Sequence, residues 1–557
     1  ITCRDWFQLC LKEGLTVYRD QQFVADMRSA GVKRIEDVIR LRAAQFPEDA
    51  GPLAHPVRPE EYVEINNFYT ATVYEKGAEL VGMLRALVGP ETYARALDLY
   101  FERHDGQAVT IEDWLRVFED ASGRDLSRFM RWYRQAGTPR LRAETEWRDG
   151  RFRLRLAQET PPTPGQPVKA PVPIPVAYGL VAPDGRTLAE GAVVLETAEG
   201  EWTWDLPGVG ARPALSLLRG FSAPVIVERR VEPAERAILL AHDADPFNRW
   251  EAGRAYGMAL LARLAAEPDA RPDAEYLAAM CAVADDPRLD PAFKALALAL
   301  PGVEEASSHL AASGVAPDPL ALHHARRALQ RAIGAALGAR LEALYEAHAA
   351  PGPYSPDADA AGKRALRARV LGLAAARDGH AGLAARQFAA AGDMTETMAA
   401  LSVLVEAGAA EEALEAFHAR WRDDRLVIDK WFAVQARLAP PEVAVETVAA
   451  LARRDDFEAR NPNRFRALVG SFAAGNAAGF HRADGAGYRF VVDRLIELDP
   501  DNPQTAARVA TSFGPWRIHD AARQAAARRE LERLAARPGL SRDLADVVAR
   551  LLRPSDA

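Results

Sequence analysis

The sequence is that of a mainly α-helical protein with one small all-β segment near its middle. Three observations lead there. Apolar residues recur at helical spacing over residues 1–137, the period changes to two over 138–234, and from 235 to 557 the chain is rich in Ala, Leu and Arg with short turns between helix-length runs. A length of 557 residues matches about three domains, and these three stretches are the candidates.

The first stretch is helical with long loops. In GPETYARALDLYFERH, residues 89–104, Tyr93, Leu97, Tyr100 and Phe101 fall on one helical face. The next helix opens at Thr110 with Asp113 three residues on, a variant of the capping box. Ile111, Trp114, Leu115 and Phe118 follow helical spacing, and Gly123 closes the run. DLSRFMRWYRQAG, residues 125–137, repeats the scheme and stops at Gly137 before Pro139.

In the second stretch Leu141, Ala143, Thr145 and Trp147 alternate with polar neighbours, and Phe152, Leu154 and Leu156 do so after Asp149-Gly150. That is the pattern of a β-hairpin. A Pro-rich connection over 161–175, a second turn at Asp184-Gly185 and further short strands complete a small β-sandwich. In the third stretch one helical hairpin shows the logic. Asp393 and Glu396 form a D-x-x-E cap, Met398, Leu401, Leu404 and Val405 make an apolar face, Gly408 ends the helix, and Ala413, Leu414, Phe417 and Trp421 form the next. Stacked hairpins of this kind build a superhelix or solenoid, here without a strict sequence period.

Composition excludes some functions. Acidic residues (78) outnumber basic ones (70) and both are interspersed, so no basic stripe for nucleic acid is present. No apolar run approaches the ~18–20 residues of a membrane span. Cys3, Cys10 and Cys281 are few, odd in number and without a CxxC pair, which fits a reducing compartment such as the cytoplasm. The chain opens on Ile1 within what reads as the interior of a folded unit, so it is expected to begin partway through a longer protein.

Glu13 stands in CLKEGLTVYRD, an apolar helical run, directly before Gly14. Alone, a helix glutamate is most often a solvated surface group. Its context is more specific. TCRDWFQLCLKEGLTVYRDQ (2–21), NNFYTATVYEKGAELV (66–81), YFERHDGQAVTIEDW, DLSRFMRWYRQAGTP, DPFNRWEAG (245–253), NPNRFRALVGSFA (461–473) and FHRADGAGYRFV (480–491) resemble, in this order, segments of the aminopeptidase N family of gluzincin zinc peptidases. The resemblance covers nearly the whole chain. It implies that residues 1–137 are the C-terminal helical part of a thermolysin-like catalytic domain, 138–234 the β-sandwich and 235–557 the helical superhelix.

In that family a glutamate in an N-E-G or K-E-G setting follows an HExxH motif, and Glu13 in LKEGL matches it. The resemblance implies that Glu13 is the third zinc ligand, on a different helix from the two histidines, in a His₂Glu set that leaves one position for water. Neither HExxH nor the family's G-x-M-E-N motif occurs here, so both are expected upstream of Ile1 and this chain alone is expected to be inactive. Tyr74 in TVYEKG matches the tyrosine that donates its phenol to the oxyanion of the tetrahedral intermediate. Lys12 is a candidate for the pocket, or else a solvated lysine, and Arg466 and Arg508 are candidates for attracting a peptide carboxylate. His55, His104, His242 and His481 lack ligand spacing and read as loop or cap residues, while Cys3 and Cys10 read as packed rather than metal-binding.

The implied activity is the zinc-dependent removal of N-terminal residues from short peptides by a monomeric cytoplasmic enzyme with one Zn²⁺ per complete site. Neither nucleic acid nor membrane is an expected partner. Two other readings stay open: a related gluzincin hydrolase, such as one acting on epoxides, and a catalytically inert helical-repeat binding or scaffold protein derived from an aminopeptidase.

Overall fold

The computed structural model describes residues 2–62 and 65–553, the side chain of Asn66 aside. It divides into two compact units, residues 1–255 with 285–297 and residues 256–284 with 298–557. The architecture is mainly helical with one small β-sandwich, as the sequence predicts.

In the first unit the helices Leu9–Met27 and Gly77–Val88 pack against each other. They meet where two glycines face: a Cβ on Gly14 would lie 2.7 Å from the carbonyl carbon of Gly77. Further along, the Tyr18 ring lies 3.2 Å from where a Cβ on Gly82 would stand. Leu11, Leu15, Leu80 and Leu84 are buried around this crossing.

The helix Ile111–Ser122 carries the expected capping box, with Asp113 N donating to Thr110 Oγ1 at 3.2 Å and Thr110 N to Asp113 Oδ2 at 3.0 Å. Gly123 ends it in the left-handed region at φ 68°. The helix Pro90–His104 departs from the reading in one respect. Its buried face runs Tyr93, Ala96, Tyr100, while Phe101 is 48% exposed. Four residues separate Ala96 from Tyr100, and Phe101 lies one step past that line. Tyr100 packs edge-on against Trp114 at 5.1 Å, so this face is anchored by rings. The segment 125–137 folds into only a short helix, Met130–Arg134.

The sandwich holds two sheets. One orders the strands Glu199–Asp205, Arg151–Glu159, Arg140–Arg148 and Ile226–Glu228, and the other Thr187–Leu195, Ile174–Val181 and Ala214–Leu217. The hairpin between Arg140–Arg148 and Arg151–Glu159 turns on Asp149 and Gly150, both at positive φ, as a tight two-residue turn demands. Leu141, Phe152, Leu154 and Leu156 point inward from one sheet, and Ile174, Val176, Leu180 and Leu215 are buried on the other. The Pro-rich run connects Arg151–Glu159 to Ile174–Val181, so it passes between the sheets.

A buried ion pair ties the start of the sandwich to the helices. Lys76 Nζ lies 2.7 Å from Asp49 Oδ2, with side chains 1% and 0% exposed. Lys76 also donates to Gly137 O at 2.9 Å, and Asp49 accepts from Gly137 N and Thr138 Oγ1. Burial raises the Asp49 carboxyl, but the Lys76 ammonium and the hydrogen bonds outweigh it and hold it below the usual carboxylate range. Lys76→Met leaves Asp49 buried without its counter-charge, so it should cost about 3–5 kcal/mol in urea unfolding. Adding Asp49→Asn should recover much of that loss.

In the second unit the hairpin read from the sequence is present as Met394–Glu406 and Glu411–Trp421. Asp393 caps the first helix, accepting from Glu396 N at 2.9 Å, and Gly408 closes it at φ 67°. Leu401, Leu404, Val405, Ala413 and Phe417 are buried, whereas Met398, Leu414 and Trp421 are half-buried on the flanks.

His481 caps the short helix Ala477–Phe480 and is also buried. Its Nδ1 is 2.9 Å from Tyr488 Oη, and its ring stacks on His519 at 4.1 Å. Burial first, then His519 and Arg523, push its imidazole down to about 3. The unfolded value is about 6.5, so the unfolded chain takes up the proton first as pH falls. Stability is therefore full above pH ~6.5 and is lost towards pH 3, by at most ~1.4 kcal/mol per unit. Thermal melts between pH 7 and 4 should show this slope, and His481→Gln should flatten it.

Candidate active site

Tyr74 lies on a widened π-type turn, Thr72–Lys76, that leads directly into the helix from Gly77. Such turns carry an extra residue per ring and are frequent at functional sites. Its start is held by Glu48, whose carboxylate accepts from Thr72 N at 2.8 Å and Ala71 N at 3.3 Å. His55 braces the same corner, with Nε2 3.0 Å from Thr70 Oγ1. The residues after Tyr74 are fixed by opposite charges. Glu75 is buried and pairs with Arg40 at 2.8 Å, and Lys76 is held by Asp49. One turn on, Glu79 pairs with Arg34 through two bonds of 2.7 and 2.6 Å. Tyr74 therefore projects from a stretch with little freedom to turn.

Glu13 faces it from the helix Leu9–Met27. The glycine contact one residue on, Gly14 against Gly77, sets how closely the two helices approach. The Glu13 side chain is 12% exposed. It lies close enough to the Tyr74 hydroxyl to act on its proton, and Lys12 Nζ lies 2.9 Å from its Oε1. Burial, followed by the Glu13 carboxylate, pushes the Tyr74 phenol up to about 12. It is an O–H donor throughout the neutral range. The Tyr69 ring stands beside it at 6.2 Å and is half-exposed.

The structure thus brings together Glu13, Tyr74 and Lys12, which lie up to 62 positions apart in sequence (74 − 12). Arg466 and Arg508 belong to the second unit. Both are exposed, and Arg466 Nη2 donates to Asn463 Oδ1 at 2.6 Å. Two residues from Arg466, Arg464 is buried against Phe432 and paired with Asp429, a packing role. Sequence reading missed the supports of Tyr74: Glu48, Asp49, Arg40 and Arg34. The signal for them was Glu75, Lys76 and Glu79, three charges in an otherwise apolar helical run.

Glu13 suits a metal. It is a half-buried anionic oxygen donor on a rigid helix, and a carboxylate paired with one ammonium keeps lone pairs for an ion. Zinc needs three protein ligands, and among the described residues no three His, Cys, Asp or Glu side chains converge. Glu13 is one donor of the kind such a set uses.

Comparison with known proteins matches three consecutive segments of the chain. Residues 1–133 match the peptidase family M1 domain. Residues 137–230 match a domain of unknown function with an Ig-like fold, DUF3458, and residues 233–553 match its C-terminal companion of ARM repeats, DUF3458_C. The chain is 48% identical over 99% of its length to aminopeptidase N of Caulobacter vibrioides, and 39% identical over 99% to aminopeptidase N of Escherichia coli. It spans 64% and 65% of those two relatives. A crystal structure of Legionella pneumophila aminopeptidase A in complex with aspartic acid superposes with a TM-score of 0.75 at 29% identity, covering 99% of this chain and 63% of that one.

The class these matches define is an M1-type peptidase segment followed by an Ig-like module and ARM repeats. The chain belongs to the DUF3458_C ARM-repeat family and is homologous over nearly its whole length to proteins named aminopeptidase N.

Proposed function

We propose that this chain provides the carboxylate ligand and the oxyanion donor of a zinc aminopeptidase that removes N-terminal residues from short peptides. The observation that carries the reading is the placing of the Glu13 carboxylate beside the Tyr74 hydroxyl across the glycine crossing, inside the segment that matches the M1 peptidase domain. Glu13 would hold the metal with two imidazoles from an HExxH motif. When bound, zinc supplies a Lewis acid that brings its water towards a pKa of ~7.

The chain's own residues do the rest. Tyr74 keeps its proton and donates it in a hydrogen bond to the carbonyl oxygen as negative charge gathers there. It stands beside Glu13 in this structure, next to where the ion would be held. Lys12, one residue before the ligand, offsets the carboxylate charge and orients it. Arg466 and Arg508, exposed on neighbouring helices of the second unit, offer cations to a peptide's C-terminal carboxylate. Three free thiols suit a reducing cytoplasm, and the mixed surface charge suits a monomer without nucleic-acid or membrane partners. No helix among the described residues is long and apolar enough to cross a membrane.

The test uses a protein that joins this chain to an HExxH segment. It should release N-terminal residues from amino-acid anilides, and Glu13→Gln should lower both zinc content and turnover by at least ~10-fold. Peptide binding with no turnover in the zinc-loaded protein would instead favour a scaffold. This chain alone should take up no stoichiometric zinc in a calorimetric titration, because affinity comes from several ligands in fixed geometry. Tight one-to-one binding would contradict that.

A further inference from the structure

The turn that carries Tyr74 is out of phase with an ordinary helix. Gly77 N donates to Thr72 O, five residues back where an α-helix reaches four, so the turn holds one residue more than α geometry allows. The helix beyond it, Gly77–Val88, is fixed by the contact with Gly14. Relaxation of the turn to α geometry would rotate the residues ahead of it by up to about 100°, one residue's share of a helical turn. Tyr74, inside the turn, would swing through part of that angle and leave its place beside Glu13.

The bonds that oppose this come from one segment. The first N–H groups of a helix have no partners within it. Here Thr70 Oγ1 accepts from Val73 N at 3.3 Å, and the Glu48 carboxylate takes the other two, one oxygen on Thr72 N and the other on Ala71 N. Glu48 belongs to the short helix Phe46–Ala50, so this is a cap supplied by a different element. Three residues earlier Gln45 Nε2, fully buried, donates to Thr72 Oγ1 at 3.3 Å. Gln45 closes a second widened turn, Leu41–Gln45, which packs against the first. A carboxylate that bridges two adjacent amides fixes rotation about the helix axis, which a single bond or an apolar contact does not.

We propose that Glu48 is a positioning residue for Tyr74: with Gln45 it locks the widened turn in phase and so aims the phenol at the place where the oxyanion forms. The proposal rests on the reading of Tyr74 as the oxyanion donor.

Hydrogen exchange in this chain reads the lock without metal or substrate. Glu48→Ala should speed exchange of the Ala71 and Thr72 amides at least ~10-fold, and Glu48→Gln, which keeps one acceptor oxygen, should fall between it and the parent. Kinetics in a protein that joins this chain to an HExxH segment reads the consequence. Glu48→Ala should lower kcat at least ~10-fold with KM within about twofold, and Glu48→Gln should restore part of the loss. In a Tyr74→Phe background Glu48→Ala should cost no more than about twofold, because the aim of a missing hydroxyl has no effect. A general loss of folding would slow both backgrounds alike. Unchanged exchange in Glu48→Ala, or an equal loss of kcat in both backgrounds, would overturn the proposal. Near-normal kcat in Tyr74→Phe by itself would overturn the reading underneath, on which the exchange result does not depend.

Discussion

Tyr74→Phe, in a protein that joins this chain to an HExxH segment, is expected to lower kcat by about 10²–10³ with little change in KM or melting temperature. The substitution removes one oxygen and keeps the ring. In this structure that oxygen stands beside Glu13 in a half-buried site, so its loss leaves no deeply buried group stranded. Folding should be indifferent to it. The transition state should not, because a positioned donor acts on charge that develops there and not in the substrate, which places the loss in kcat. Steady-state kinetics with an amino-acid anilide, alongside a thermal melt, reads both quantities. A near-normal kcat would remove Tyr74 from the chemistry.

Gly14→Ala is expected to destabilise the first unit and to weaken catalysis together. Its Cβ would stand 2.7 Å from the Gly77 carbonyl carbon and 2.9 Å from its oxygen, both backbone atoms that no rotamer change can move. The helices must part. Overpacking of this kind costs about 1–3 kcal/mol, and alanine's helical preference over glycine returns only about 1. Parting the helices also moves Glu13 away from Tyr74, and displacements near 1 Å can cost ~10²-fold in rate. Gly77→Ala is the control. Its Cβ would meet Gly14 Cα at 3.2 Å, a contact that a small shift relieves, so it should be the milder variant in both urea midpoint and kcat. The reverse order would contradict the role given to this crossing.

Much of this was legible in the residues themselves. The hairpin at Asp149-Gly150 follows from turn chemistry and alternation, and the caps at Thr110 and Asp393 follow from the side chains that satisfy a helix's first N–H groups. These are local rules, and the fold obeys them. Phe101 shows where local spacing fails: two adjacent large rings cannot share one narrow face, and Tyr100 took the place against Trp114. That Glu13 and Tyr74 serve one site was expected from likeness to a family, since nothing in spacing brings residue 13 to residue 74. The buried pair of Asp49 with Lys76 and the Glu48 cap on the Tyr74 turn are tertiary facts, set by which segment covers which helix. A sequence records only that a charge sits where an apolar residue would be cheaper.

The central claim is that the Glu13 carboxylate completes a zinc site beside Tyr74. A crystal structure of the HExxH-containing protein, with zinc located by its anomalous signal, tests it most directly. The expected result is a Glu13 oxygen at about 2.0–2.2 Å from the ion, with the Tyr74 hydroxyl facing the metal's open position. A Glu13 side chain turned to solvent, with the ion bound elsewhere, would contradict it.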